Sequence, residues 1–379
     1  MVKIGRYVQQ KAGYKAFIPE KFPPVEIFLN ESKIVKLLAN ANLQLGKLDG
    51  LTKLLPDSDF FIFMYINKEA AYSSQVEGTR AKLTDALQAE VERTPDLPKD
   101  VDDILHYIKA MNEGLKRLDK LPLSLRLIKE VHATLLTKAR SSTNPYPGEF
   151  RKSQNWIMGT NPADARFVPP PPEYVMEAMS DLEKFFYSHE DLPILIKAGL
   201  IHSQFETIHP FLDGNGRTGR LLITFYLCQQ GILERPVLYL SEHFKKHRDL
   251  YFSMLDEYRK GNIVSWLDFF LKGIVRVAGE AIEIFNKVIE LREKDLQKVS
   301  ELGRASKNAI VLLKNLYKIP IINVRKIEEV ADLSREAANQ MVDRFVKMGI
   351  LIPKDKGKKY GRLFIYKEYL NLFEGKEEY

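Results

Sequence analysis

Cysteine is nearly missing from this chain. A single thiol, Cys228, in 379 residues excludes an intramolecular disulfide framework and any multi-cysteine zinc site, and it suits a reducing compartment. Long hydrophobic runs are missing as well. The most apolar central stretch, residues 221–228, is far below the roughly 20 residues that a membrane-spanning helix needs. The opening segment MVKIGRYVQQKAGYKAF carries charges throughout and lacks the apolar h-region of a secretory signal. A soluble cytoplasmic protein with no membrane partner is the expectation. Internal repeats, collagen periods and low-complexity tracts are also absent. What remains is ordinary globular composition, 45% hydrophobic and 28% charged, which rules out a wholly disordered chain. The length suggests two or three domains. Charge of one sign is in slight excess: 57 Lys and Arg against 50 Asp and Glu leave +7. That favours anionic partners such as nucleotides or nucleic acid, but only weakly at this length.

Along the chain, residues 1–27 read as a polar extended arm. Helical periodicity runs over residues 30–93, with a second helix from about Asp59 through Ala71, and Pro95 and Pro98 punctuate its end. It resumes over residues 103–118 and 123–139. Residues 141–172 are rich in Pro, Gly, Asn and Ser, and hold two short strand-like runs, 154–157 and 166–168, which predict a small β-hairpin. Helices are predicted again at 173–189, 192–208, 217–230, 242–259 and 263–272. A charged amphipathic helix over 276–300 marks a boundary. Residues 301–379 hold 16 basic and 11 acidic residues. There, helices over 325–331 and 334–348 and strands over 351–353 and 363–366, joined by a basic loop, form a winged-helix pattern.

The most informative stretch is HPFLDGNGRTGR, from His209 to Arg220. Pro210 ends the helix before it, and an apolar helical pattern follows it, closed by Gly231. The glycine-rich turn therefore sits at a helix start. Glycines there admit left-handed backbone and close ligand approach, and the free N–H groups form an anion nest. Arg217 and Arg220, three apart, add a clamp suited to polyphosphate. Asp213 suits a divalent cation between phosphates, Mg²⁺ above all. His209, four residues before it, can take a proton from an attacking hydroxyl. Other readings stay open on these residues alone. Gly214, Gly216 and Gly219 satisfy G-x-G-x-x-G, but no strand precedes them. A purely structural helix-loop-helix is another reading. A hydrolase metal cluster of His202, His209 and Asp213 lacks a further ligand at helical spacing.

The same stretch resembles the Fic family motif H-P-F-x-D/E-G-N-G-R-x-x-R at every specified position. The resemblance implies transfer of AMP from ATP to a protein hydroxyl, with Mg²⁺. It implies that His209 is the general base and that Asp213 holds the metal. Gly214, Asn215 and Gly216 would line the anion hole, and Arg217 and Arg220 would bind phosphates, Arg220 the γ-phosphate. Thr218 and Gly219 between them are counted with the ATP site. Members also modify themselves, and many dimerise, so a homodimer is an expected partner.

Far upstream stands SSQVEG, residues 73–78. Its plain reading is a capping box, Ser74-x-x-Glu77. The helical pattern already runs from about Phe60, however, and Gly78 follows, which places Glu77 at a helix C-terminus. A carboxylate is disfavoured there unless a cation answers it. SSQVEG resembles the inhibitory motif (S/T)-x-x-x-E-(G/N) of one class of Fic proteins, with Ser73, Glu77 and Gly78 on specified positions. The resemblance implies that Glu77 pairs with Arg220 and displaces the γ-phosphate.

Three further expectations complete the reading. Gln154, Asn155, Trp156 and Ile157 fall in the region that resembles the family's target-docking flap, where a protein target adds as a strand; a surface hairpin packed on its own tryptophan is the alternative. In the Fic family the helix after the loop borders the nucleotide, and the resemblance makes Lys246 and Tyr251 candidates for facing the adenosine, against a plain surface lysine. Arg335 and Arg344 of the second C-terminal helix, with Lys354, Lys356, Lys358, Lys359 and Arg362 of the loop, admit DNA contact or a protein dock. The expected architecture is mainly α: residues 1–110 an N-terminal helical region with the inhibitory motif, 111–275 a Fic catalytic core with a β-hairpin flap, 276–300 a linker helix, and 301–379 a small winged helix-turn-helix domain. The competing function is a DNA-binding regulator with a nucleotide-sensing core. Another donor nucleotide, or hydrolytic removal of AMP, would keep the fold.

Overall fold

The computed structural model describes residues 2–24, 32–54, 59–93, 97–136, 146–188, 192–354 and 361–374. The chain opens with strands β1 (Gly5–Gln9) and β2 (Lys15–Pro19). Helices α1 (Ser32–Leu54), α2 (Asp59–Val76), α3 (Leu83–Val91), α4 (Val101–Leu118) and α5 (Leu125–Leu136) follow. After the turn-rich stretch come α6 (Pro172–Phe186), α7 (Ile194–Ile208), α8 (Asn215–Gln229), α9 (Ser241–Lys246), α10 (Arg248–Arg259) and α11 (Ile263–Ser300). The C-terminal part runs α12 (Ser306–Lys318), β3 (Ile321–Asn323), α13 (Val324–Ala331), α14 (Arg335–Lys347), β4 (Ile352–Pro353), β5 (Leu363–Ile365) and α15 (Lys367–Glu374).

The helices follow from where the apolar residues fall. On α4, Ile104, Tyr107, Ile108 and Met111 recur at three and four and are all buried, so one stripe faces the core and the charged residues face water. Helix α7 is buried along its whole length and α8 along nearly all of it, as helices enclosed on every side must be. They pack on each other at the centre, with α2, α4 and α5 against α8 and α10 and α11 against α7. Pro172 sits at the first turn of α6, where its missing N–H leaves no bond unmade. Asn262 caps α11 by accepting from the Ser265 N–H at 3.3 Å.

Four details differ from the sequence reading. Residues 1–27 are not an arm throughout: β1 and β2 form an antiparallel hairpin in register from Gly5↔Pro19 to Gln9↔Lys15. Phe17 is buried against Phe167, with ring centroids 5.8 Å apart, and its N–H donates to the Val168 carbonyl at 2.9 Å. The strand alternation there is only five residues long and is diluted by lysines, so it reads as polar. Conversely, the hairpin expected at 154–168 reduces to one antiparallel bridge, Ile157↔Phe167. The helix expected over 242–259 breaks at His247 (φ −120°, ψ 42°). The helices expected at 263–272 and 276–300 are one continuous 38-residue helix, α11. Gly273 does not interrupt it but lets the His243 ring lie close, where a Cβ would stand 2.7 Å from it.

In the C-terminal part, α12, α13 and α14 accompany a three-stranded antiparallel sheet of order β3-β5-β4, one strand more than expected. This part is not detached. The ring of Phe60 on α2 lies 5.5 Å from Tyr317 on α12, and Tyr65 lies 5.7 Å from Phe373 on α15. Buried Asp295 on α11 accepts from the Tyr366 hydroxyl and pairs with Lys298 at 2.7 Å. No helix among the described residues is long and apolar enough to cross a membrane.

Candidate active site

Helix α7 ends at His209, which takes the left-handed backbone conformation (φ 50°, ψ 60°) as its cap. That turn reverses the chain into the loop leading to α8. The loop is held from several directions. Asn215 is its internal brace: its Oδ1 accepts from the Phe211 N–H and its Nδ2 donates to the Phe211 carbonyl, both at 2.8 Å. The side-chain amide of Asn215 is thus committed to the loop, and only its backbone N–H is left to line an anion site. The Phe211 ring stacks on His132 at 3.6 Å and 6°. His132 Nδ1 accepts from the Gly148 N–H at 2.8 Å, so Nε2 carries the proton and donates to the Asp213 carbonyl at 2.9 Å. Burial holds the His132 pKa down at about 4, which keeps this tautomer neutral.

Arg151 ties the flap to the same turn. Its Nε donates to the His209 carbonyl at 2.9 Å, and its other nitrogens reach the carbonyls of Ser153, Pro170 and Ile208. Asn155 Nδ2 donates to the Phe211 carbonyl at 2.8 Å and to the His209 carbonyl at 3.3 Å. Gln154 bonds to the Pro169 carbonyl at 2.9 Å, and Ile157 forms the bridge to Phe167. Trp156 is 39% exposed and its indole N–H bonds within its own turn, to Gly159.

Gly214 stands at φ 76°, and its N–H donates to Asp213 Oδ1 at 2.6 Å. Helix α8 starts at the next residue, so the first N–H groups of α8 point out of the helix with the positive end of its dipole. An anion is already there. A Cβ built on Gly216 would stand 2.1 Å from Glu77 Oε1. Glu77 follows the last residue of α2, and Gly78 after it has φ 101°. Ser74 is no capping residue: α2 ends at Val76 and the Ser74 hydroxyl is buried without a partner.

The cation answering Glu77 is Arg220. Its Nη2 lies 2.8 Å from Glu77 Oε1 and 2.9 Å from the Ser73 carbonyl, and its Nε donates to Ser73 Oγ at 2.8 Å. The Arg220 side chain is 1% exposed and that of Glu77 41%. Tyr107 and Glu69 extend the network behind them: the Tyr107 hydroxyl donates to Glu69 Oε1 at 3.0 Å, and the Ser241 N–H to Oε2 at 3.2 Å. Burial pushes the Glu69 pKa up to about 7, against the pull of Ser241 and Arg220. Arg248 Nε donates to the Val76 carbonyl at 3.0 Å and so pins the turn that carries Glu77.

Arg217 is buried between Asp103 and Asp213, 3.7 Å from each, and its Nε has no partner. The Thr218 hydroxyl is likewise buried and unpaired. Gly219 carries the carbonyl that accepts from His202 Nδ1 at 3.0 Å. Asp213 is 38% exposed at the loop's edge. A single carboxylate beside a phosphate site fits Mg²⁺, which is commonly held by one or two carboxylates, substrate phosphates and waters. No cluster of three acidic, histidine or cysteine ligands occurs among the described residues.

Tyr251 is enclosed. It is 1% exposed, and its hydroxyl donates to His202 Nε2 at 2.9 Å, behind Arg220. Lys246 pairs with Glu242 at 2.7 Å, which also holds Lys68 at 2.7 Å. Among the described residues, the C-terminal basic side chains are interspersed with acids. Arg325, Lys326, Arg335 and Arg362 share a cleft of roughly 640 Å³ with acids that include Glu90 and Glu92 of α3. Lys356, Lys358 and Lys359 lie outside the described residues.

Sequence reasoning missed Arg151, His132, Glu206 and Arg248. Arg151, His132 and Arg248 act through backbone groups or across a long sequence separation, and none of the three belongs to a recognisable spacing. Only FETIHP, which places Glu206 one turn before His209, offered a local signal.

Residues 35–116 match the Fic/DOC family N-terminal model and residues 122–227 the Fic/DOC family model. A probable protein adenylyltransferase of Aquifex aeolicus is 35% identical over 118 residues, 31% of this chain and 33% of that protein. The Caenorhabditis elegans protein adenylyltransferase fic-1 is 31% identical over 153 residues, 38% of this chain and 28% of that protein. The chain thus spans about a third of the length of the curated relatives it matches. Among solved structures, a Fic family protein from Desulfovibrio desulfuricans superposes with a TM-score of 0.56 at 17% identity, covering 89% of this chain and 97% of that one. The C. elegans Fic-1 structure gives 0.52 at 20%, covering 67% and 73%. At such identities the likeness speaks for the fold. The two sequence matches show that this chain carries a Fic/DOC family N-terminal region and a Fic/DOC family domain.

Proposed function

We propose that the protein transfers AMP from ATP to a hydroxyl of a protein target, and of itself, and that Glu77 restrains the reaction. The observation that supports this best is the carboxylate lying over Gly216 and on Arg220 at 2.8 Å. An anion held by a helix N-terminus and a buried guanidinium marks the place a phosphate would take.

In this reading, Arg220 holds the γ-phosphate once Glu77 yields. Arg217, with its unpaired Nε, and the Thr218 hydroxyl take further phosphate oxygens. The N–H groups of Asn215 and Gly216 neutralise charge that builds as the bond to the leaving pyrophosphate lengthens. Mg²⁺, held by Asp213, would screen the phosphates and favour the departure of pyrophosphate. His209 is the base. Burial, with the charges of Arg151 and Arg259, holds its pKa down at about 3, so the ring is neutral and able to accept a proton near pH 7. The target lies along residues 154–157 and adds as a strand, with Trp156 and Ile157 beside the reacting group.

The test is intact-mass analysis of the wild type and Glu77→Gly after incubation with ATP and Mg²⁺. One AMP added in the variant, lost again in Glu77→Gly/His209→Ala, supports the reading. No increment with any nucleoside triphosphate and any offered protein overturns it.

A further inference from the structure

Glu206 is the most unusual group near the loop. It lies one turn before His209 at the end of α7, and its side chain is 6% exposed. Its Oε1 is buried with no hydrogen-bond partner and presses on Gly219, where a Cβ would stand 2.8 Å away. Its Oε2 lies 3.8 Å from His209 Nδ1, which is itself buried without a partner. Buried polar atoms left unpaired are rare and costly. Here His209 Nδ1 is one such atom, and Glu206 Oε2 stands across a gap that a small turn of the imidazole would close.

We propose that Glu206 is the positioning residue of His209: its carboxylate accepts a hydrogen bond from Nδ1–H, which fixes the ring's tautomer and leaves the lone pair on Nε2. This rests on the AMP-transfer reading above. During transfer the target O–H bond breaks and its proton goes to Nε2. The freed oxygen bonds to the α-phosphorus as the bond from that phosphorus to the pyrophosphate oxygen breaks. The ring becomes imidazolium, and the ionised Glu206 stabilises it through Nδ1–H.

The charges around the pair are few. Arg151 from the flap and Arg259 from α10 face His209, and both oppose its protonation. Arg220 from α8 and Arg259 favour the charged form of Glu206, while Glu77 at the end of α2 opposes it. Burial dominates, and pushes the Glu206 pKa up to about 7. The Glu206 carbonyl is a second acceptor close to the ring, and it already accepts from Arg259 at 3.3 Å. Substituting the side chain leaves that carbonyl in place, so the two acceptors can be told apart.

The experiment uses the full chain with ¹⁵N-labelled histidine. At pH 8, imidazole nitrogen shifts should show His209 as a single Nδ1–H tautomer in the wild type, and as a mixture or the Nε2–H form in Glu206→Met. In the Glu77→Gly background, Glu206→Gln should lower kcat for AMP transfer about 10- to 100-fold, less than loss of the base itself would cost, with KM for ATP unchanged. The rise in rate through pH 7 should flatten. A tautomer unchanged in Glu206→Met, or an unchanged kcat with the same pH profile in Glu206→Gln, overturns the proposal. If Glu77→Gly transfers no AMP at all, the functional reading falls, and the ring spectra still decide the Glu206–His209 pair.

Discussion

Replacing Glu77 with glycine separates stability from activity in a way the structure allows to be estimated. Arg220 is enclosed, so losing its carboxylate resembles breaking a buried pair, which can cost 3–5 kcal/mol as an order of magnitude. The partner is 41% exposed, and water replaces much of what is lost. Two hydrogen bonds to Ser73 also remain. The contact is therefore worth about 1–2 kcal/mol after discounting for solvent. ATP must overcome that amount to reach Arg220 in the wild type, so Glu77→Gly should raise transfer about 5- to 30-fold at subsaturating ATP. The same variant should be less stable without nucleotide, by about 1–3 kcal/mol once a second glycine beside Gly78 is counted. It should then gain more from ATP than the wild type does, because binding stabilises only the folded state. Thermal denaturation with and without ATP and Mg²⁺, together with a mass-based transfer assay, reads both effects. Equal rates and equal ATP-induced shifts in the two proteins would refute the reasoning.

Gly216→Ala puts a methyl where Glu77 Oε1 sits, so it should expel the carboxylate and yet fill the anion nest. ATP-induced stabilisation and transfer should both disappear, with unfolding easier by about 1–3 kcal/mol in urea. Tyr251→Phe removes the hydroxyl from His202, so it should cost about 1 kcal/mol of stability and leave KM for ATP unchanged; a raised KM would restore the tyrosine to the nucleotide. Arg151→Lys loses the fork that joins His209 to the flap, and kcat should fall more than 10-fold, by an estimate of about 2 kcal/mol from several lost carbonyl bonds. Acid should destabilise the protein. The pKa values of His132, His202, His209 and His243 are depressed by burial to between about 3 and 4, so the unfolded chain binds their protons first and stability falls as pH drops below about 6.5. Glu69 and Glu206, raised to about 7, have the opposite sign between about 4.5 and 7. Four groups outweigh two, and the net loss is about 2 kcal/mol per pH unit from 6.5 toward 5; melting curves across that range that rise toward acid would contradict this balance.

The loop from His209 to Arg220 was legible because its chemistry is contiguous: a base, an acid, three glycines and two arginines within one turn between helices. Glu77 was legible by a subtler route, as a carboxylate at the wrong end of a helix, and Arg220 meets it. The rest was hidden for physical reasons. Arg151 and Arg248 recognise carbonyls, which every residue has, so no sequence pattern marks their partners. Asn215 reads as a ligand group, but both ends of its amide close on Phe211. Helix α11 was divided in two because Gly273 looks like a stop, whereas in the fold it makes room for an imidazole.

The rod that ends at Glu77 is anchored at its other end by aromatic rings from far along the sequence. Phe60, Phe61 and Tyr65 lie against Tyr317, Phe285 and Phe373. Cutting the chain after residue 275 would strip those neighbours away and cut through α11 itself, whose 38 residues extend about 57 Å. The last hundred residues are thus part of the footing on which the Glu77 carboxylate stands, and a shortened protein would report on a loosened footing rather than on an isolated core.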